Sequence, residues 1–199
     1  MKILVVIDMQ NDFLHGALKN EKGIEIIPAV VERINQYKKD NWLVVATRDT
    51  HSENYLQTQE GKKLPVKHCV KYSWGWRINE EIEKALGEVN SYNEQLFPFR
   101  KMNDNNVVSS YTIVFDKYTF GSYDLANYLT KCYGHIQNNL QIELVGVCTD
   151  ICVISNAMLL KAFMPEATII VNGSLCAGVS EKSHNDALNA MGACQIEII

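Results

Sequence analysis

Short runs dominated by apolar, β-branched residues recur along the chain at Ile3–Ile7, Trp42–Thr47, Thr112–Phe115, Ile142–Val147, Ala167–Val171 and Gln195–Ile199. Strands of this kind, apolar on both faces, belong in a sheet covered on both sides. Between them lie segments of helical spacing: Pro28–Lys39 with proline in its first turn, Ile78–Leu86, Tyr123–Cys132, Cys152–Ala162, and Glu181–Met191 behind Ser180 as N-cap. The alternation predicts a three-layer α/β fold: an open, doubly wound, mainly parallel sheet of about six strands with helices on both faces. Such sheets bind ligands beyond the carboxyl ends of their strands. Asp8, Asp49 with His51, Lys117, and Cys148 to Cys152 all fall there. The segment Glu88–Ser110, rich in Asn and Ser, reads as a surface excursion.

Composition narrows the class. At 199 residues the expectation is one domain spanning residues 1–199. The formal charge of −4, with lysines scattered among glutamates, leaves no extended basic surface for nucleic acid or anionic lipid. No run approaches the roughly 18 apolar residues of a membrane span, and Met1–Asp8 reads as a strand rather than an export signal. The six cysteines follow no disulfide framework, which points to reduced thiols in a cytoplasmic setting. A small-molecule partner fits this balance.

Three residues are candidates for covalent chemistry. Cys152 follows a strand that ends at Gly146-Val147, where a helix begins. A thiol in a first helical turn feels the positive end of the macrodipole, which favours thiolate, and backbone N–H groups there can receive an oxyanion. The alternative is a small core cysteine. Asp8, at the mouth of the sheet, is placed to act as a base to a thiol; the alternative is a loop-capping Asp. Lys117, at the end of Ile113-Val114-Phe115-Asp116-Lys117, can steady negative charge, or be a solvated strand-end lysine.

A second constellation suits a metal. In an extended segment Asp49 and His51 lie on one side, and His68 from a nearby loop would complete two imidazoles and a carboxylate with open positions for zinc, iron or manganese. Ordinary polar loop residues are the alternative. Cys148–Cys152 lacks redox spacing, and Cys69, Cys132, Cys176 and Cys194 complete no four-thiol set. No glycine-rich phosphate loop is present. Tyr72-Ser73-Trp74-Gly75-Trp76 is a candidate wall for a flat ligand.

Taken together, Val5-Val6-Ile7-Asp8-Met9-Gln10-Asn11-Asp12-Phe13, then Asp116-Lys117, then Gly146-Val147-Cys148-Thr149-Asp150-Ile151-Cys152-Val153 resembles the isochorismatase-like cysteine hydrolases, in family order over nearly the whole chain. Thr47-Arg48-Asp49-Thr50-His51 with Leu64-Pro65-Val66-Lys67-His68-Cys69-Val70 resembles the metal site of the nicotinamidase branch. The resemblance implies a metal-containing cysteine amidohydrolase that deamidates nicotinamide to nicotinate and ammonia through a thioester. Asp8 would be the base, Lys117 the electrostatic bridge and Cys152 the nucleophile. The N–H groups of Cys148 and Cys152 would hold the oxyanion, with a cis peptide just before Cys148. One divalent metal, zinc before iron or manganese, would sit on Asp49, His51 and His68. Phe13, Leu64, Trp74 and Tyr118 would line the pocket, and the protein would be a homo-oligomer. Many nicotinamidases carry an aromatic residue and consecutive prolines before the metal-site histidine, where this chain has Leu64-Pro65-Val66-Lys67-His68; Trp74 or Trp76 would compensate. An amidase of another small amide or N-carbamoyl compound is the alternative activity, and a non-catalytic binding relative is the alternative class.

Overall fold

The computed structural model describes residues 1–93 and 111–199. In chain order its elements are β1 (Lys2–Ile7), α1 (Asn11–Leu14), α2 (Glu21–Glu25), α3 (Ile27–Lys39), β2 (Leu43–Asp49), α4 (Gln59–Lys63), α5 (Glu80–Leu86), β3 (Val89–Ser91), β4 (Thr112–Lys117), α6 (Tyr123–Tyr133), β5 (Gln141–Val147), α7 (Ile154–Phe163), β6 (Thr168–Ala177), α8 (Glu181–Ala193) and β7 (Glu197–Ile198). The strands form one sheet in the order β3-β4-β2-β1-β5-β6-β7, with every neighbouring pair parallel. The doubly wound sheet is therefore as expected, with seven strands among the described residues where about six were read. The additional strand is β3, from the start of the Glu88–Ser110 excursion; residues 94–110 of that excursion lie outside the described residues.

Alternation of side chains along each strand builds two cores. Ile3, Val5, Ile7, Phe115, Ile142 and Leu144 pack beneath Leu125 and Leu129 of α6 and Ala157 and Leu160 of α7. Leu4, Val6, Val44, Val114 and Val145 face Val30 and Ile34 of α3 and Ile82 and Leu86 of α5. The helices start where polar caps allow: Asn79 accepts from the amides of Glu81 and Ile82, Ser122 from Leu125, and Ser180 forms a reciprocal pair with Ser183. On the α3 face, Glu143 of β5 is buried, and Arg33 (2.6 Å), the Tyr37 hydroxyl (2.8 Å) and Asn172 (3.2 Å) all donate to it.

At Gly146 the backbone demands glycine. Gly146 has φ of +121°, and a Cβ there would lie 2.2 Å from the carbonyl oxygen of Ile7, so β5 approaches β1 this closely only without a side chain. The approach lies one residue before the Val147–Cys148 peptide, which is cis as the resemblance implies. Among the described residues no helix is long and apolar enough to cross a membrane.

Candidate active site and metal centre

The carboxyl ends of four adjacent strands, β4, β2, β1 and β5, converge on one spot. Asp8 follows β1 with φ of +48°, a left-handed conformation that turns the chain sharply as it leaves the sheet. Its carboxylate is fully buried, and Thr47 of β2 donates to Oδ1 at 2.7 Å. Lys117, opposite Asp49 in the β2–β4 register, reaches inward with its ammonium 2.7 Å from Asp8 Oδ2, 3.1 Å from Asp49 Oδ1 and 3.4 Å from Cys152 Sγ. The lysine is thus shared among two carboxylates and a thiol.

Cys152 does not open a regular helix. It lies in a π-helical turn, Thr149–Val153, that precedes α7, and the Val153 amide closes that turn onto the Cys148 carbonyl at 3.0 Å. Asn156 of α7 ties the turn to the neighbouring loop, donating to the carbonyls of Cys152 (2.8 Å) and Phe120 (3.1 Å) and accepting from the Ser122 amide. Thr149 meets His184 of α8 at 2.8 Å, and Asp150 accepts from the Val179 amide.

Burial dominates the electrostatics. It pushes the Cys152 thiol well above its ordinary range, with Lys117 opposing and Asp8 and Asp49 reinforcing. Burial and the two carboxylates thus push the Cys152 thiol up, in the direction opposite to the lowering expected of a helix N-terminus. Burial also raises the proton affinity of Asp8, with Lys117 the chief opposing influence. Burial disfavours the Lys117 ammonium, but Asp8, Cys152 and Asp49 outweigh it and hold the amine charged. Asp49 is buried as well, yet the Lys117 ammonium and the two nearby imidazoles hold its pKa down.

Beside this cluster the structure brings together Asp49, His51 and His68, whose ligand atoms lie within 4.8 Å of one another. Asp49 divides its oxygens: Oδ1 faces Lys117, while Oδ2 lies 2.8 Å from His51 Nε2 and 3.5 Å from His68 Nε2. His51 Nε2 is buried without a hydrogen-bond partner, and His68 Nδ1 lies 2.7 Å from the Val66 carbonyl, which fixes Nε2 as the inward-facing atom. An orphaned ring nitrogen facing a second imidazole and a carboxylate is what a divalent cation requires.

Sequence reasoning missed several neighbours. Glu60 of α4 sets a second carboxylate 3.7 Å from His51 Nε2 and 3.9 Å from His68 Nε2. Fully buried Tyr55 packs against both imidazoles, with ring centroids at 4.6 and 4.9 Å. Of the residues read as pocket walls, Phe13 is buried, its ring 5.7 Å from that of His68. Tyr118 lines a surface depression with Thr50, His51, Ser52, Tyr55, Thr58 and Lys71. Leu64 and Trp74 are exposed and do not line that depression. Trp76 is buried beneath the Arg48 guanidinium and donates to Thr50, so it serves as framework.

Comparison with known families decides the lineage. The isochorismatase domain model matches residues 2–91 and 101–199. The chain belongs to the isochorismatase family. Within that family it is 26% identical to the nicotinamidase of Saccharomyces cerevisiae, over 86% of this chain and 87% of the yeast protein. Its fold superimposes on the zinc complex of pyrazinamidase from Pyrococcus horikoshii with TM-score 0.72 and 25% identity, covering 100% and 98% of the two chains. The pyrazinamidase/nicotinamidase of Streptococcus mutans matches with TM-score 0.76 and 23% identity over the whole of both chains. The isochorismatase-family sheet thus carries, in this member, an Asp–Lys–Cys cluster and an Asp–His–His cluster that share Asp49.

Proposed function

We propose that this chain is a metal-containing cysteine amidohydrolase, a single hydrolase domain over residues 1–199, that converts nicotinamide to nicotinate and ammonia. The observation that carries the reading is the placement of Lys117 Nζ within 3.4 Å of Asp8, Asp49 and Cys152, with two imidazoles on the far side of Asp49. The family's nicotinamidases and pyrazinamidases support the substrate class.

Asp8 accepts the Cys152 thiol proton as Sγ bonds to the carboxamide carbon, and the carbonyl π electrons move onto oxygen. Its raised proton affinity suits a base acting on a neutral thiol. Backbone N–H groups of Cys148 and Cys152 receive the oxyanion. Asp8 then returns the proton to the departing nitrogen, the C–N bond breaks, and ammonia leaves a thioester on Cys152. Water, deprotonated by Asp8, attacks the thioester; the C–S bond breaks, Asp8 returns the proton to sulfur, and the carboxylic acid leaves as carboxylate, its proton going to the released ammonia. Lys117 remains an ammonium throughout and compensates charge on Asp8 and the sulfur. Asp49, His51 and His68 would hold a divalent metal, zinc by the example of the Pyrococcus relative, which would supply a Lewis-acid site to help orient the substrate. The six cysteines are all free thiols, which supports a cytoplasmic setting.

Ammonia release from nicotinamide, from other small carboxamides and from N-carbamoyl compounds tests the assignment. Nicotinamide is expected as the preferred substrate, with turnover abolished in Cys152→Ala. Preference for an N-carbamoyl compound would replace the substrate, and residual turnover in Cys152→Ala would remove the nucleophile.

A further inference from the structure

The loop that follows β1 contributes more than Asp8. Gln10 is completely buried and spends all its polar atoms on neighbouring backbone: Oε1 accepts from the Asp49 amide at 2.7 Å, and Nε2 donates to the carbonyls of Asp49 and Trp76, both at 2.9 Å. Both main-chain polar groups of a metal-site carboxylate are therefore held by one side chain. Two residues on, Asp12 Oδ2 accepts from the amide of Cys69, the residue after His68, at 2.7 Å, and Oδ1 accepts from the Ala17 amide at 3.2 Å. A Cβ on Gly75 would fall 1.9 Å from Asp12 Oδ2, so the loop containing Trp74 and Trp76 lies close over this carboxylate only because that position is glycine.

Asp49 and His68 come from different elements; a backbone bridge joins their segments through His51, whose amide donates to the Cys69 carbonyl at 2.9 Å and whose carbonyl accepts from the Lys71 amide at 2.8 Å, and it leaves the amides of Asp49 and Cys69 to Gln10 and Asp12. We infer that Gln10 and Asp12 are positioning residues for the metal centre: Gln10 fixes the Asp49 main chain so that one carboxylate can divide between Lys117 and the imidazoles, and Asp12 fixes the His68 segment. The two sit side by side where the chain leaves the sheet: Gln10, at the N-cap of α1, reaches β2, and Asp12, in the first turn of α1, reaches the 68–76 loop. The inference rests on the reading of Asp49, His51 and His68 as metal ligands.

The test measures cobalt(II) and zinc affinity by competition with a chromogenic chelator, and the cobalt(II) d–d spectrum, on the full chain. Thermal midpoints of the metal-free proteins run alongside. Gln10→Met and Asp12→Ala are expected to weaken metal binding by roughly 10- to 100-fold, the usual effect of removing a group that orients a ligand, and to alter the cobalt spectrum. Asp12→Asn, which keeps an acceptor for the Cys69 amide, is expected to restore most of the affinity. Tyr37→Phe, which removes a buried hydrogen bond to Glu143 far from the site, is expected to lower the midpoint and leave affinity and spectrum unchanged. If Gln10→Met does not fold, Gln10→Glu, which keeps the acceptor and removes both donors, takes its place. Variants that bind metal as the wild type does, with its spectrum, would overturn the positioning role alone. A wild type that binds neither metal would overturn the ligand reading and this inference with it.

Discussion

Lys117 sets the character of the site, because one buried ammonium within 3.4 Å of two carboxylates and a thiol fixes which of them holds a proton. Asp8 lies on the side of that balance that favours a base, since burial raises its proton affinity and Lys117 and Thr47 restrain the rise. The acidic limb of kcat/KM should therefore lie above the ordinary carboxylate range, with activity lost as Asp8 takes up a proton. Thr47→Val removes the hydroxyl that stabilises the charged form at 2.7 Å, so the limb should move to higher pH while kcat on the plateau falls less than tenfold. A pH–rate profile of the two proteins checks this. At this scale the juxtaposition was legible in the sequence, because strand ends locate Asp8, Asp49 and Lys117, and the turn after β5 locates Cys152, without any tertiary knowledge. It did not show Glu60, nine residues beyond His51 on a short polar helix, or the partners of Gln10, which depend on how three loops meet.

At the scale of elements, the expected strands and longer helices form within a few residues of their predicted bounds, because each apolar run has a core to enter. The differences have local causes. Val89-Asn90-Ser91 carries a single apolar residue, so periodicity passes over β3 although it pairs with β4. Strand β6 continues from Val171 through polar Asn172-Gly173-Ser174 to Ala177, because Asn172 turns inward to Glu143. Helix α7 starts after Val153 rather than at Cys152, the preceding turn being π-helical. The same element scale carries the pair of half-buried Arg33 with buried Glu143. Burial opposes the charge on Glu143, but hydrogen bonds from Arg33, Tyr37 and Asn172 outweigh it and lower its pKa. Its contribution is thus present above the ordinary glutamate pKa of about 4.3 and is lost as pH falls through the lower folded-state value. Arg33→Met should destabilise the fold by roughly 3 kcal/mol at pH 7, since it strands a buried carboxylate, and the deficit should shrink towards pH 4 as that carboxylate protonates. Urea unfolding at both pH values measures it.

Across the whole molecule, four adjacent strands and three loops contribute to one site, so a ligand bound there stabilises elements distant in sequence. Removal of metal should lower the thermal midpoint on the order of 10 °C, the shift that about 4 kcal/mol of ligand stabilisation produces in a chain of this size when free metal stands about a thousandfold above its dissociation constant. In His51→Ala the chelator should leave the midpoint unchanged. Differential scanning calorimetry with and without chelator separates the two proteins. The most direct test of the account is to measure bound metal and nicotinamide deamidation on the same purified sample. The wild type should hold one divalent metal per chain and release ammonia, and Cys152→Ala should hold the same metal and release none. A wild type with its metal site filled that releases no ammonia from nicotinamide would contradict the account.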